Sequence, residues 1–322
     1  MTNPIIAEIT RGPIVESQHT GAYVVTDADG RVVVSSGNIQ RLIYPRSAFK
    51  AFQCLPVIES GAADHFGLND EEIALCCASH SGEAEHVQVA RSILHKIGVS
   101  ETCYECGAQW PGHRASVYDL VRAGEDAQAV HNNCSGKHAG MLALAKHLGV
   151  DAKDYVKPEH AVQQAIAKAI ADICDVDITA APRGVDGCSV PTWAMPLKNM
   201  ALGFARLSQK VAGQRIILAA RAHPFLIAGT GKFDTDIMTA VPRVFLKYGA
   251  EGVYCGTIAH AGLGFAVKCD DGASRAVEVA AAGVLLKLNV WTADETQKLK
   301  SFQHETMSNW RKIEVGEIHA SL

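Results

Sequence analysis

The chain has 322 residues, 48% apolar and 20% charged, a composition that belongs to folded globular proteins and excludes disordered and fibrous classes. Its net charge is −4 with no basic block, so nucleic acid is not an expected partner. It contains no run of 18 apolar residues and MTNPIIAEITRG lacks the pattern of a secretory signal, so neither a membrane span nor export is expected and the expected location is the cytoplasm.

In chain order, residues 5–9 (IIAEI) read as a strand. Residues 22–26 and 31–35 are two β-like runs flanking Asp27-Ala28-Asp29-Gly30, a hairpin signal. Helical periodicity begins near Ser47, after Pro45. Residues 84–98 place Val87, Ala90, Leu94 and Ile97 on one helical face and stop at Gly98; residues 137–149 do the same and stop at Gly149. A third helix is expected over 158–174, opened by Pro158, and a fourth helical region over 191–209, broken or kinked near Pro196. Strand-like runs return at 243–249, 252–259 and 264–272, and a long Ala/Val/Leu helix follows at 273–289. Strands therefore lie at both ends and helices fill the middle. The expected fold class is α/β of the α+β kind. One antiparallel sheet would be built from N- and C-terminal strands and flanked by helices, in a single unit with a mixed subregion (1–60 and 225–322) and a mainly helical one (61–224).

Four stretches could carry chemistry. In RSAFK, Ser47 and Lys50 are three apart, so a helix would put hydroxyl and ammonium on one side. The spacing arises by chance in many chains, and on spacing alone an N-cap serine beside a solvated lysine is the preferred explanation. CCASHSGEAEH (76–86) sets Ser79, His80 and Ser81 in a polar loop between helices; Ser81 or Glu83 could simply cap the second. HNNCSGKHAG (131–140) gathers amides, thiol, lysine and histidine before an apolar helix, more polar groups than a cap needs, and suits a bound anion. GVDGCSVPTWAMPL (184–197) carries Asp186 and Cys188 in a tight turn. The ten cysteines read as reduced thiols, several buried in apolar runs. Cys103-x-x-Cys106 lacks a second such pair, which weighs against zinc or redox work there. DADG and CDDG are turns without calcium-loop spacing.

Taken together, TRGPIVESQHTG (10–21), YPRSAFK (44–50), CASHSGEAEH (77–86), NNCSGKHAGM (132–141) and GVDGCSVPTWAMPL (184–197) resemble the asparaginase II family, the thermolabile or rhizobial type of L-asparaginase, in order and spacing over nearly the whole chain. The resemblance implies a fold like the serine β-lactamases and penicillin-binding proteins, a homodimer, and L-asparagine as substrate. It implies two Ser–Lys tandems: Ser47 with Lys50, and Ser79 with a lysine on a late strand, matched here to Lys268 in GFAVK. It also implies a zinc ion (Zn2+) held by Cys134, Lys137 and Cys188, and a substrate pocket lined by Arg46, Asn133 and His138. Two departures stand out: Ser-His-Ser replaces the Ser-Asp-Asn of β-lactamases, and Lys268 is followed by Cys269-Asp270, so β-lactam hydrolysis is not expected.

On this reading Ser47 attacks the side-chain amide and Lys50 takes its proton. A lysine does so only when neutral, a state that desolvation and a second nearby lysine favour. Ser79 and Lys268 relay protons, and zinc orders the pocket without activating the nucleophile. The rivals are another Ser–Lys amidase or esterase of the same fold, and a non-catalytic protein binding an amino acid or metal.

Overall fold

The computed structural model describes residues 2–322. The chain opens with strands β1 (Ile5–Arg11), β2 (Ile14–Asp27), β3 (Val32–Ser36) and β4 (Leu42–Ile43). Seven helices follow: α1 (Lys50–Glu59), α2 (Ala62–His65), α3 (Asp70–Cys76), α4 (Ala84–Ile97), α5 (Arg114–Ala123), α6 (Ser135–Leu148) and α7 (Ala161–Cys174). Short strands β5 (Arg183–Val185), β6 (Pro191–Trp193) and β7 (Met195–Pro196) lead to α8 (Leu197–Leu207), α9 (Val211–Ala222), α10 (Pro224–Ile227) and α11 (Phe233–Ala240). The chain ends with β8 (Phe245–Gly249), β9 (Val253–Ile258), β10 (Leu263–Cys269), α12 (Ser274–Leu286), α13 (Ala293–Phe302), β11 (His304–Ser308) and β12 (Glu314–Ala320).

Two compact units result. The first comprises Met1–Ala48, Met195–Arg206 and Ile237–Leu322; the second comprises Phe49–Ala194 and Leu207–Asp236. The first is built on an antiparallel sheet in the order β11-β12-β1-β2-β10-β9-β8, with β3 also on β2. Both chain ends meet in it, Ala7 standing opposite Ala320. The long β2 divides its work. Residues 14–20 pair with β1, and residues 21–27 pair with β10 in a register that sets Gly21 opposite Cys269. The Ala/Val-rich α12 buries most of its length and packs on β1, β9, β10 and β12. A glycine at 264 lets α8 approach, since a Cβ there would lie 2.1 Å from Ala201 O.

The second unit is a helical cluster around α6, which buries eleven of its residues and so is a core helix. It packs on α1, α3 and α4 and, though buried all round, carries Ser135, Lys137 and His138 among its buried residues. Gly136 and Gly140 open its surface to α3; a Cβ on Gly136 would meet Leu75 O at 2.3 Å.

The antiparallel sheet from both ends and the helical middle are as the sequence predicts. The helix over 84–97 and its left-handed cap at Gly98 also agree. Three expectations change. Helix α7 starts at Ala161 and not at Pro158, because His160 Nδ1 accepts from the Val162 N–H and caps it. Residues 191–196 form β6 and β7 before α8 begins, since Pro191 and Pro196 withhold the N–H groups a helix would need. Strands β11, at the sheet edge, and β12, beside it, pass unnoticed in sequence, because their largely polar and exposed residues lack an apolar alternation. All ten cysteines are free thiols, and no described helix is long and apolar enough to cross a membrane.

Candidate active site

Ser47 sits in a 3-10 turn, Arg46–Phe49, that runs straight into α1, whose first residue is Lys50. The turn is strained at its start: Arg46 has φ +53°, a left-handed conformation costly for a side chain of that size. Within the first unit, the end of β8 presses on this turn. A Cβ on Gly249 would lie 2.4 Å from Pro45 O and 2.9 Å from Ala48 N, so only glycine fits. Lys247, two residues earlier and hence on the same face of β8, is 1% exposed and donates to Tyr248 O at 3.0 Å. Lys268, by contrast, is half-buried, and its ammonium is taken by Glu251 O and Cys269 O. Burial first, and Arg41 beyond it, pull Lys268 below its ordinary value. Lys268 and Arg46 share the lining of a cleft of about 220 Å³ with Tyr44 and Glu251.

The second unit holds the other residues. Lys50 is 0% exposed; its Nζ lies 2.5 Å from Ala78 O, 2.9 Å from Ser79 Oγ and 3.4 Å from Asn133 O. The solvated lysine of the alternative reading is therefore excluded: this ammonium replaces its water with protein oxygens. Ser79 is placed by its own N–H on Ile227 O, and His80 by its N–H on Asn133 O. The ring of His80 accepts from Gly82 N–H at Nδ1, leaving Nε2–H to donate to Ser135 Oγ at 2.9 Å. His86 is arranged alike, accepting from Glu83 N–H and donating to Phe225 O, and the two rings stack 5.0 Å apart. Both histidines thus serve as neutral braces for the Ser79 loop. Burial, its largest cause, lowers His86. Glu83 holds the far side of that loop, accepting from Ser81 Oγ, Thr230 N–H and Thr230 Oγ1.

Asn132 ties the third stretch down: its amide donates to Cys106 O and Gly107 O while its Oδ1 accepts from Cys134 N–H. Asn133 lies with its side chain 3.0 Å from the Cys134 sulfur. Lys137, one turn along α6, puts its Nζ 2.9 Å from Cys188 Sγ, which the β5–β6 turn delivers. Cys188 in turn hydrogen-bonds Cys134. That bond, with Lys50 and Lys137 nearby, outweighs burial and holds Cys134 well below its ordinary value, while the same bond and burial push Cys188 up. Burial works to lower Lys137, but the Cys188 and Cys134 sulfurs together hold it above its ordinary value. Two buried thiol sulfurs and one amine nitrogen converge here, a set that fits a zinc ion once the lysine gives up its proton. His138 is wholly buried: Tyr155 OH, which accepts from Glu105 N–H, donates to its Nδ1 at 2.7 Å, and its Nε2 has no hydrogen-bond partner. Burial and the two nearby lysines keep it neutral.

The structure brings Lys50, Ser79, Asn133, Cys134, Lys137 and Cys188 into one cluster. Cys103 and Cys106 do not join a site: Cys106 donates to Ala129 O and burial pushes its thiol up to about 12. The burial of Lys247 is not evident in sequence; its one signal is a lysine inside the apolar run FLKYG, where burial leaves an ammonium little water.

No curated protein matches the chain. Among solved structures, a β-lactamase from Mycobacterium bovis is 10% identical, covering 88% of this chain and 94% of its own, with a TM-score of 0.35. The sequence profile of L-asparaginase II matches residues 7–320, nearly the full length and every stretch described above. The chain belongs to the L-asparaginase II family.

Proposed function

We propose that the protein hydrolyses the side-chain amide of L-asparagine to L-aspartate and ammonia, with Ser47 as nucleophile and Lys50 as base. The observation that carries the reading is a wholly buried Lys50 at 2.9 Å from a serine hydroxyl, at the head of a helix entered through the strained Ser47 turn. A protein that only binds an amino acid has no use for a desolvated base placed this way.

Ser47 Oγ adds to the amide carbon and its proton passes to neutral Lys50. Backbone N–H groups at the turn hold the oxyanion. The proton is then returned to the amide nitrogen, the C–N bond breaks, and ammonia leaves. Water, deprotonated by the same base, cleaves the acyl-serine ester to aspartate and frees Ser47. Ser79 shares its hydrogen bond with Lys50 and passes protons. The second lysine is Lys247 and not Lys268: Lys247 is desolvated on the strand face against the Ser47 turn, whereas Lys268 is already satisfied by two carbonyls. Arg46, beside the nucleophile, and Asn133 recognise the charged ends of the substrate, while His138, wholly buried against Tyr155, supports the pocket from behind. Cys134, Lys137 and Cys188 would hold zinc, which supplies Lewis-acid charge that orders the pocket and grips a carboxylate when bound. A lysine ligand must be neutral, so uptake releases its proton.

A second reading makes Ser79 the nucleophile, because its hydroxyl is the one observed against Lys50. The test is ammonia release from L-asparagine, with L-glutamine and a nitrophenyl ester alongside. Fast release from asparagine and slow ester cleavage are expected. Ser47→Ala should lower the rate by several orders of magnitude, about 10³-fold or more, with Ser79→Ala losing less. Residual activity above about a tenth in Ser47→Ala, with the larger loss in Ser79→Ala, transfers the role to Ser79. No release of ammonia from asparagine, with and without zinc, removes the reading altogether.

A further inference from the structure

The turn Cys269-Asp270-Asp271-Gly272 follows β10 beside the middle of β2. Its two aspartates are engaged by different partners. Asp270 is engaged by Asn3, Thr20 and Arg41. Asp271 instead meets Cys269 and His19 of β2. His19 Nδ1 lies 2.6 Å from Asp271 Oδ2, and Cys269 Sγ lies 2.9 Å from Asp271 Oδ1. One donor atom from each residue falls within 4.8 Å of the others. Two of the three side chains are buried, His19 at 6% and Cys269 at 0% exposure, while Asp271 opens to solvent. The other ring nitrogen of His19 is buried without a hydrogen-bond partner, so this cluster is what orients the imidazole.

We propose that His19 Nδ1, Cys269 Sγ and an oxygen of Asp271 form a second divalent-metal site of the zinc class, separate from Cys134, Lys137 and Cys188. One imidazole, one thiolate and one carboxylate are borderline donors suited to Zn2+ or Co2+, and three protein ligands leave a fourth position for water on the side where Asp271 is exposed. Metal–ligand bonds of about 2.0–2.3 Å in a tetrahedron set ligand atoms about 3.3–3.7 Å apart, so with one Asp271 oxygen as ligand the three separations, now within 4.8 Å, change by about 1.5 Å or less. The chemistry balances. An ionised carboxylate only accepts, so both Nδ1–H and Sγ–H point at Asp271. Uptake breaks the S–H bond and releases that proton, the ring proton moves from Nδ1 to Nε2, and three metal–ligand bonds form. The two charges of the ion are then cancelled by thiolate and carboxylate. The ion would clip β2 to the turn that leads into α12.

The test uses the full chain, stripped of metal, with Cys134→Ser and Cys188→Ser to silence the other donor set. Added Co2+ should bind once per chain with a thiolate-to-cobalt charge-transfer band, and calorimetry in two buffers should show about one proton released. Cys269→Ser should abolish the band and Asp271→Asn should weaken binding at least about tenfold. Absence of the band, or a band unchanged by Cys269→Ser, overturns the proposal. Should the double variant not fold, zinc stoichiometry of the unmodified chain serves instead. It should fall by one ion per chain on Cys269→Ser; an unchanged stoichiometry overturns the proposal as firmly.

Discussion

Lys50 and Lys247 are each at or below 1% exposed, and each replaces hydration with main-chain carbonyls or a hydroxyl. Such burial strips an amine of its water, and the lost hydration has to be offset by hydrogen bonds. Lys247→Met should reduce kcat for asparagine about a hundredfold or more, whereas Lys268→Met should leave it within about threefold. Steady-state kinetics on both variants decide; the reverse ranking returns the role to Lys268. Lys50→Met would also strip Ala78 O of a donor, at a cost of about 1–3 kcal/mol, visible as a lower urea midpoint. At this scale the motif blocks that carry Ser47, Lys50, Cys134, Lys137 and Cys188 were legible because their order and spacing mark the family. The burial of Lys247 was not, because a strand-like run conceals whether a charged residue within it reaches water.

Among the elements, α6 and α13 show what a helix owes to its surroundings. Gly136 of α6 stands where a methyl group would press into Leu75 O of α3. Gly136→Ala, favourable by helix propensity alone, should therefore destabilise by about 1–3 kcal/mol, measured by denaturant unfolding. A stabilised variant would refute the close approach of α3 and α6. Helix α13 opens with Thr292 and Glu295 capping each other, and the Glu295 carboxylate is also forked by Arg243 Nε, at 2.6 Å, and Nη2. The Arg243 hydrogen bond, foremost, holds Glu295 at about 2 against an ordinary 4.5. A lowered carboxylate stabilises fully above its ordinary value, and that contribution is lost as pH falls towards the folded value. Unfolding midpoints should thus drop between about pH 5 and about pH 2, and Arg243→Gln should flatten that limb. An equal acid loss in the variant would remove Glu295 from the account. Elements with strong periodicity and glycine stops, such as 84–97, were readable in advance. The 191–209 region was not, since its apolar run suits helix and buried strand alike until Pro191 and Pro196 are placed.

For the whole molecule, the expected homodimer is a matter for sedimentation, which should give twice the 34.3 kDa chain mass. Removing zinc with a chelator should raise KM for asparagine about tenfold or more while kcat changes little, as befits an ion that orders the pocket. A thousandfold fall in kcat with KM unchanged would give the ion a direct part in the chemistry.

By itself the sequence determined the class of fold, the helices with clear caps, and the motif blocks that mark the family, because periodicity, capping and motif spacing are local properties of the chain. Only the tertiary structure decided which donors meet. Lys137 and Cys188 are 51 residues apart, and His19 and Asp271 are 252 apart, yet each pair lies within hydrogen-bond reach. Such pairings depend on strand register and helix packing, to which every residue of the core contributes. The same packing decides which lysines lose their water, and so sets Lys50 and Lys247 apart from Lys268.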